Sequence, residues 1–362
     1  MGPFVAATIP PQPPPQAQIW KANMEEARFR DYLRLAYIFE KAGRLSDAQK
    51  VYFIALRDNP NFIEFQFGAP LIVDAMRERF ASTQWDGKSS LEGKTLLIYA
   101  EKGLGDTIQF CRFLSALKGR GARLLFKAQT PLYEMLKLAD LGVELIDPAT
   151  DLDSLSFDLS TGLLALPALL EINAGDLPGR AGYLRVDDES IARVAGAFSP
   201  QKLRVGLVWS GDKSHPHNPD RSIPIGELIS AFRDWPQIEL YSLQIGEASG
   251  DLSHLIGGPH VTDLAPLVRS GTSSYLDTLA LIASLDLLVT VDTSVCHAAS
   301  ALIPELRPAI FILLPARPDL RWSGKGEHSL WYDGPLLLRQ EKRGEWQSVI
   351  QELQMRLSNF NY

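Results

Sequence analysis

The sequence predicts an α/β protein: two doubly wound domains facing each other across a cleft, preceded by a short all-α segment. Three observations predict it. From Lys94 onward, short apolar runs alternate with helical stretches, twice over, as buried parallel strands covered on both faces require. Each half contains a strand that ends in a polar or glycine-rich corner and opens a helix. Thr95 to Ala100 leads into Gly103-Leu104-Gly105-Asp106, and Leu287 to Val291 leads into Asp292-Thr293-Ser294. Before Lys94 the apolar spacing is helical instead of alternating. Two facing domains of this kind place a ligand outside the carboxyl ends of both sheets.

Taken in order, residues 1–20 carry the proline run Pro10 to Pro15 and read as a disordered leader. Residues 21–84 read as a tetratricopeptide-like helical segment, in which Leu35, Ala36, Phe39, Gly43, Ala48, Tyr52, Ala55, Leu56 and Pro60 follow that repeat's spacing. A single repeat cannot bury its own apolar face, so it is expected to pack on a neighbour. Residues 85–186 form the first doubly wound domain, with strands at 95–100, 123–127, 143–146 and 157–159 and helices near 107–118 and 131–139. Residues 187–343 form the second, opening with a linking helix at 187–198. Its strands fall at 204–209, 239–244, 287–291 and 309–314, and its helices near 225–234, 274–285 and 294–302. The final segment, 344–362, is a helix with Trp346, Val349, Ile350, Leu353 and Leu357 on one stripe.

The 362 residues suffice for two cores of ordinary size. A net charge of −7, with no clustered Lys and Arg among aromatics, argues against a nucleic-acid partner. No apolar run reaches bilayer length and the N-terminus lacks the basic and apolar parts of a secretory signal, so a cytoplasmic location is expected. The two cysteines, Cys111 and Cys296, read as small core residues in a reducing compartment.

The candidate chemistry gathers at strand ends. A helix N-terminus exposes unpaired N–H groups and partial positive charge, which suits a phosphate. Thr293 and Ser294 add hydroxyls to such a terminus, and His297 follows Thr293 by one turn. Asp106 opens the helix of the first corner, where it is either an N-cap or a ligand-facing carboxylate. Trp209-Ser210-Gly211 ends a strand and leads through a polar loop to Arg221, placed to bind anionic oxygens. Asp319, Arg321 and Trp322 follow the strand ending at Pro315 and are expected to overhang the same cleft. His215 and His217 lack partners at metal-ligand spacing, and the Asp151/Asp153 pair reads as a solvated turn. Trp331 and Tyr332 read as packing residues.

Taken together, Tyr99 to Phe110, Val205 to Gly211, Arg221-Ser222-Ile223-Pro224, Ser242-Leu243-Gln244 and Val291 through His297 resemble one family. Leu313-Leu314-Pro315, Asp319 to Trp322, Trp331-Tyr332 and Leu338-Arg339-Gln340 fit the same pattern, in the same order. The family is that of the bacterial tetratricopeptide-repeat glycosyltransferases, relatives of the ADP-heptose:lipopolysaccharide heptosyltransferases. The resemblance implies a GT-B fold of two Rossmann-like domains and an inverting transfer from a nucleotide-diphosphate sugar to an acceptor hydroxyl. By position, it makes Asp106 the general base and Arg221 the cation that steadies the leaving diphosphate. The donor side would comprise Gly103, Gly105, Trp209, Ser210, Gln244, Asp292, Thr293, Ser294, His297 and Arg321, with no metal or other cofactor expected. The partners implied are a nucleotide sugar and a glycan, lipopolysaccharide-core or protein acceptor. A protein partner on the helical segment is a further expectation. The alternative is a non-catalytic interaction protein whose transferase-like body senses nucleotide or is degenerate.

Overall fold

In the computed structural model the described residues are 79–172, 176–213, 218–322 and 326–359, with helical positions 31, 32, 35, 38, 39 and 51. The chain divides into two units, Met1–Asn59 and Pro60–Tyr362. The proline-rich leader and nearly all of the tetratricopeptide-like spacing lie outside the described residues. Within the first unit, Val51 is a buried helical residue.

Two all-parallel sheets build the second unit. The first contains β1 (Thr95–Tyr99), β2 (Arg123–Lys127), β3 (Glu144–Leu145) and β4 (Leu159–Gly162), in the order β3-β2-β1-β4. The second contains β5 (Leu203–Val208), β6 (Ile238–Ser242), β7 (Val261–Asp263), β8 (Leu287–Val291), β9 (Ala309–Leu314) and β10 (Leu336–Arg339). Their order is β10-β9-β8-β5-β6-β7. Counted within its own domain, that is the 3-2-1-4-5-6 arrangement of a doubly wound sheet read from the other edge. In both sheets the order reverses beside the first strand, between β1 and β4 and between β5 and β8. A crevice opens outside the carboxyl ends at each reversal.

The central strands are continuous apolar runs because helices cover both faces; all five residues of β8 are buried. The two short edge strands β7 and β10 were not among the expected elements. β4 starts two residues later than the 157–159 reading. There the Asp158 carboxylate accepts the Thr95 N–H (2.8 Å), and polar Ser160 and Thr161 occupy fully buried ladder positions.

The helices relevant here are α1 (Leu104–Phe110), α2 (Tyr133–Lys137), α3 (Leu166–Leu169), α4 (Asp188–Ala195), α5 (Asn218–Arg221), α6 (Ile225–Ser230), α7 (Ser274–Ala283), α8 (Ser294–Ala301) and α9 (Gln347–Ser358). α1 begins three residues before the expected start, since Gly103 is its N-cap and the Asp106 carboxylate reaches back to the Gly103 N–H (2.9 Å). It continues as a tighter 3-10 turn from Cys111 to Leu117. The α9 stripe is as read: Trp346, Val349, Ile350, Leu353 and Leu357 are buried and share a core with β5, β8 and β9.

A second core runs without interruption from Leu96 and Ile98 of β1 to Ala298 and Ala299 of α8 and Ile312 of β9. It is continuous because α1 packs directly on α8. Tyr183 and Leu184, ahead of α4, fasten the same place. Tyr183 and Leu184 both donate their N–H groups to the Ala301 carbonyl (2.8 Å each), and the Tyr183 hydroxyl donates to the Ile108 carbonyl (2.6 Å).

Candidate active site

The seam between α1 and α8 brings the two strand-end corners together. Gly105 is what permits it. A Cβ there would stand 3.1 Å from His297 Cδ2 and 3.4 Å from Ser294 Cα. The sequence reading gave Gly105 to a ligand; in the structure its missing side chain makes room for the facing helix. Gly103 has only Asp106 Oδ2 close by, at 3.2 Å from a would-be Cβ. Ahead of them Lys102 turns through the left-handed region (φ 59°), a conformation costing a non-glycine residue about 1 kcal/mol.

On the α8 side, Thr293 is the N-cap, its hydroxyl accepting the Val295 N–H (3.2 Å). Ser294 accepts a short hydrogen bond from the Tyr275 hydroxyl. Asp292 is buried and accepts the Trp322 indole N–H at 2.8 Å. Its carboxyl is raised to about 6, first by burial and then by the neighbouring Asp319 charge, against the Trp322 hydrogen bond and the Arg221 cation. His297 is pushed down to about 3, first by burial and then by the positive charge of Arg112, so it is a neutral imidazole at physiological pH. Its Nδ1 lies 3.0 Å from the Tyr332 hydroxyl, and its ring stacks on Trp322 at 5.1 Å.

Arg112 is the residue the sequence reading missed. It is fully buried and donates to the carbonyls of Gln109 (2.8 Å) and Trp331 (2.7 Å) and to the Tyr183 hydroxyl (3.3 Å). The rings of Tyr332 (4.5 Å), Tyr183 (4.8 Å) and Trp331 (5.7 Å) surround its guanidinium. A charged residue inside the apolar run Phe110-Cys111-Arg112-Phe113-Leu114 was the available signal. Trp331 and Tyr332 are packing residues, as expected, but they pack around a cation.

Arg321 reaches across the cleft from the loop after β9 and pairs with Asp106 on α1. Its backbone N–H and its guanidinium also donate to Asp319, at 3.0 and 3.3 Å. Burial lowers the guanidinium to about 10. Arg221 belongs to α5 and donates to Asn218 Oδ1 (3.4 Å). It folds over Gly211, where a Cβ would meet its Nη2 at 2.4 Å. Asp106, Arg321, Asp292, Thr293, Ser294 and His297 therefore meet around the α1–α8 seam, and the Arg221 charge acts on Asp292.

Other candidates lie behind it. Trp209 is 1% exposed, belongs to the second-domain core and donates its indole N–H to Asp251 (3.1 Å). The Gln244 side chain accepts the N–H groups of Trp209 (3.2 Å) and Ser210 (3.0 Å), tying the ends of β5 and β6 together. The Ser210 hydroxyl shares a hydrogen bond with the Ser222 hydroxyl (3.1 Å) and accepts one from the Asn218 amide (3.3 Å). Ser210 is thereby tied to the first residue of α5 and to Ser222, which follows Arg221. Asp220 pairs with Arg343 (2.8 Å), and Asp151 and Asp153 face Arg79 on the surface. His215 and His217 lie outside the described residues.

Asp292, Cys296 and His297 are of metal-ligating type, with donor atoms within 4.8 Å of one another. Each already has a protein partner: the Cys296 thiol, raised well above its usual range by burial, donates to the Thr293 carbonyl (2.9 Å). Among the described residues no helix is long and apolar enough to cross a membrane.

No family model matches the chain. Protein FlbA of Caulobacter vibrioides is 24% identical over 319 residues, covering 81% of this chain and 51% of FlbA. The chain thus spans about half the length of the curated relative it matches. Among solved structures, a family 9 glycosyl transferase from Veillonella parvula is similar over 75% of this chain and 99% of its own. The identity is 9% and the TM-score 0.49. ADP-heptose lipopolysaccharide heptosyltransferase II of E. coli is similar over 73% of this chain and 98% of its own, with 14% identity and a TM-score of 0.49. Likeness at that level decides neither the fold nor the activity; the architecture rests on the chain's own two sheets.

Proposed function

We propose that the protein is a glycosyltransferase of GT-B type, moving a sugar from a nucleotide-diphosphate donor to an acceptor hydroxyl. The observation that carries this reading is the meeting, across one cleft, of a carboxylate from the first domain with a cationic helix-terminus site from the second. Asp106 stands on one side; Arg221, Arg321 and the capped N-terminus of α8 stand on the other. The chemistry then runs in a single displacement. Asp106 takes the proton of the acceptor hydroxyl as that oxygen attacks the anomeric carbon, and the bond to the diphosphate breaks on the opposite face, so the configuration inverts. Arg221 and Arg321 supply positive charge where the leaving diphosphate becomes more negative, and no metal is needed for that task. The Thr293 and Ser294 hydroxyls and the α8 terminus hold the phosphate oxygens, while neutral His297 is restricted to hydrogen bonding.

Thermal stabilisation by a panel of nucleoside diphosphates and their sugars tests the donor half of this reading, because a ligand that binds only the native state raises its stability by mass action. One nucleotide is expected to stand out with wild type and to lose its effect with Arg221→Ala. A transferase activity that survives Asp106→Asn would refute the assigned base. No response to any nucleotide at millimolar concentration would favour the non-catalytic alternative.

A further inference from the structure

We propose that Arg321 is an exchangeable partner of the base: it holds Asp106 while the cleft is empty and passes to the diphosphate of an arriving nucleotide sugar, so that donor occupancy frees Asp106 for the acceptor. The proposal rests on the glycosyltransferase reading above and adds an order of events to it.

The division of labour between the two carboxylate oxygens of Asp106 is the first support. Oδ2 accepts the Gly103 N–H at 2.9 Å, a contact within its own helix start, and Oδ1 accepts Arg321 from the other domain. Losing Arg321 leaves the side chain anchored by Gly103 and clears one oxygen, which is what a base needs to receive a proton. The second support is accessibility. The side chains of Arg321 and Asp106 are 24% and 16% exposed, so a ligand in the cleft can reach both.

The third support is the charge around the pair. Asp106, Asp292 and Asp319 share this cleft with two guanidinium groups, Arg221 and Arg321. A diphosphate offers the planar guanidinium fork more charge and more acceptor oxygens than one carboxylate does, so the exchange runs toward the ligand. Arg321 stays near its post during the exchange, because its backbone N–H remains fixed to Asp319 at 3.0 Å. Arg321 is therefore a positioning residue toward Asp106 in the empty enzyme and a phosphate ligand in the loaded one. The donor must bind first for the base to be available.

The test follows the 13C resonance of the Asp106 carboxyl in the full chain, assigned by its absence from Asp106→Asn. ADP, GDP, UDP, CDP and inorganic pyrophosphate serve as probes, with thermal stabilisation as the independent measure of binding. The binding nucleotide is expected to move the wild-type resonance to the position it already holds in empty Arg321→Gln. In that variant the same nucleotide should bind about tenfold more weakly or worse and leave the resonance in place. Arg321→Lys, which keeps the charge and loses the fork, should fall between the two. Binding to wild type with an unmoved Asp106 resonance overturns the exchange while leaving the donor site standing. So does an empty Arg321→Gln resonance identical to wild type. If none of the five probes binds, the donor reading and the exchange fall together.

Discussion

Replacing Asp292 by Asn should make this protein more stable at pH 8 and leave it nearly unchanged at pH 4. The carboxyl is buried, and its pKa is raised from 3.8 to about 6 by desolvation and by Asp319. A group whose folded pKa lies above its unfolded value contributes stability that is present at low pH and lost as pH rises through the folded value. Here the loss falls between about pH 4 and pH 6, and above that window ionised Asp292 works against folding. Two pH units at about 1.4 kcal/mol each put the penalty at about 3 kcal/mol. Asn keeps the acceptor oxygen that Trp322 needs at 2.8 Å and removes the charge that faces Asp319. The expected gain is therefore about 2–3 kcal/mol at pH 8, which corresponds to roughly 3–5 °C in melting temperature for a unit of this size.

The assay is a pair of melting curves, wild type and Asp292→Asn, at half-unit steps from pH 4.5 to 8.5 and constant ionic strength. Neutral His297 imposes its own acid-side loss, with a folded pKa of about 3. Stability from that group falls as pH drops below about 6.5, in the opposite direction to Asp292. Both proteins carry His297, so its effect cancels in the difference. A gap that does not change with pH, or a variant less stable than wild type at pH 8, would refute the placement of Asp292 as an ionised, desolvated group.

Four other outcomes are expected. Arg112→Met, which strips two buried carbonyls and a hydroxyl of their donor, should lower stability by about 2–4 kcal/mol. It should also raise the His297 pKa, read by imidazole NMR. Gly105→Val forces a side chain into the 3.1 Å approach of α1 to His297 and should cost about 1–3 kcal/mol in thermal denaturation. Gly211→Ala puts a Cβ 2.4 Å from the Arg221 guanidinium and 2.6 Å from the buried Asn218 Oδ1, so it should cost about 1–3 kcal/mol in thermal denaturation and abolish nucleotide stabilisation. Nucleotide binding should draw a proton onto Asp292, which is faced by Asp319, Arg221, Trp322, Cys296 and His297. Calorimetry at pH 6.5 in buffers of different ionisation enthalpy should register uptake of up to about one proton, absent in Asp292→Asn.

What was legible in the sequence followed burial. β1, β8 and β9 are apolar along nearly their whole length and β2 has an apolar centre between Arg123 and Lys127, and the sequence places each to within a residue. The amphipathic α9 stripe and the Ala-rich α8 were equally plain, because a 3.6-residue period survives local reading. β7 spans three residues at a sheet edge, and β4 hides Ser160 and Thr161 in its ladder, so neither carries a local apolar signal. The site divides in the same way. Asp292, Thr293 and Ser294 follow from a strand running into a helix start, which is local. The pairing of Asp106 with Arg321 spans 215 residues and that of Arg112 with Trp331 spans 219, and no periodicity reports such contacts. The family resemblance, position by position, gives Trp209 and Gln244 to the donor. The first fills the core and the second ties two strand ends together.

The polar groups displaced furthest from their solution behaviour are not scattered. A carboxyl raised to about 6, an imidazole lowered to about 3 and a guanidinium lowered to about 10 all belong to the seam where α1 meets α8. So does the caged Arg112. Stability alone gives no reason for that grouping, since apolar residues of similar volume would close the same seam at lower cost. Alanines already do so immediately after His297 on α8, at Ala298, Ala299 and Ala301, which are fully buried. A fold that packs one end of a helix with alanine and the other with charge separates adhesion from chemistry along a single element. The alanine end belongs to the core that joins the two sheets, and under the proposed function the charged end responds to a ligand while that core stays intact. Small movements of Arg221 and Arg321 are then enough to change what Asp106 and Asp292 experience.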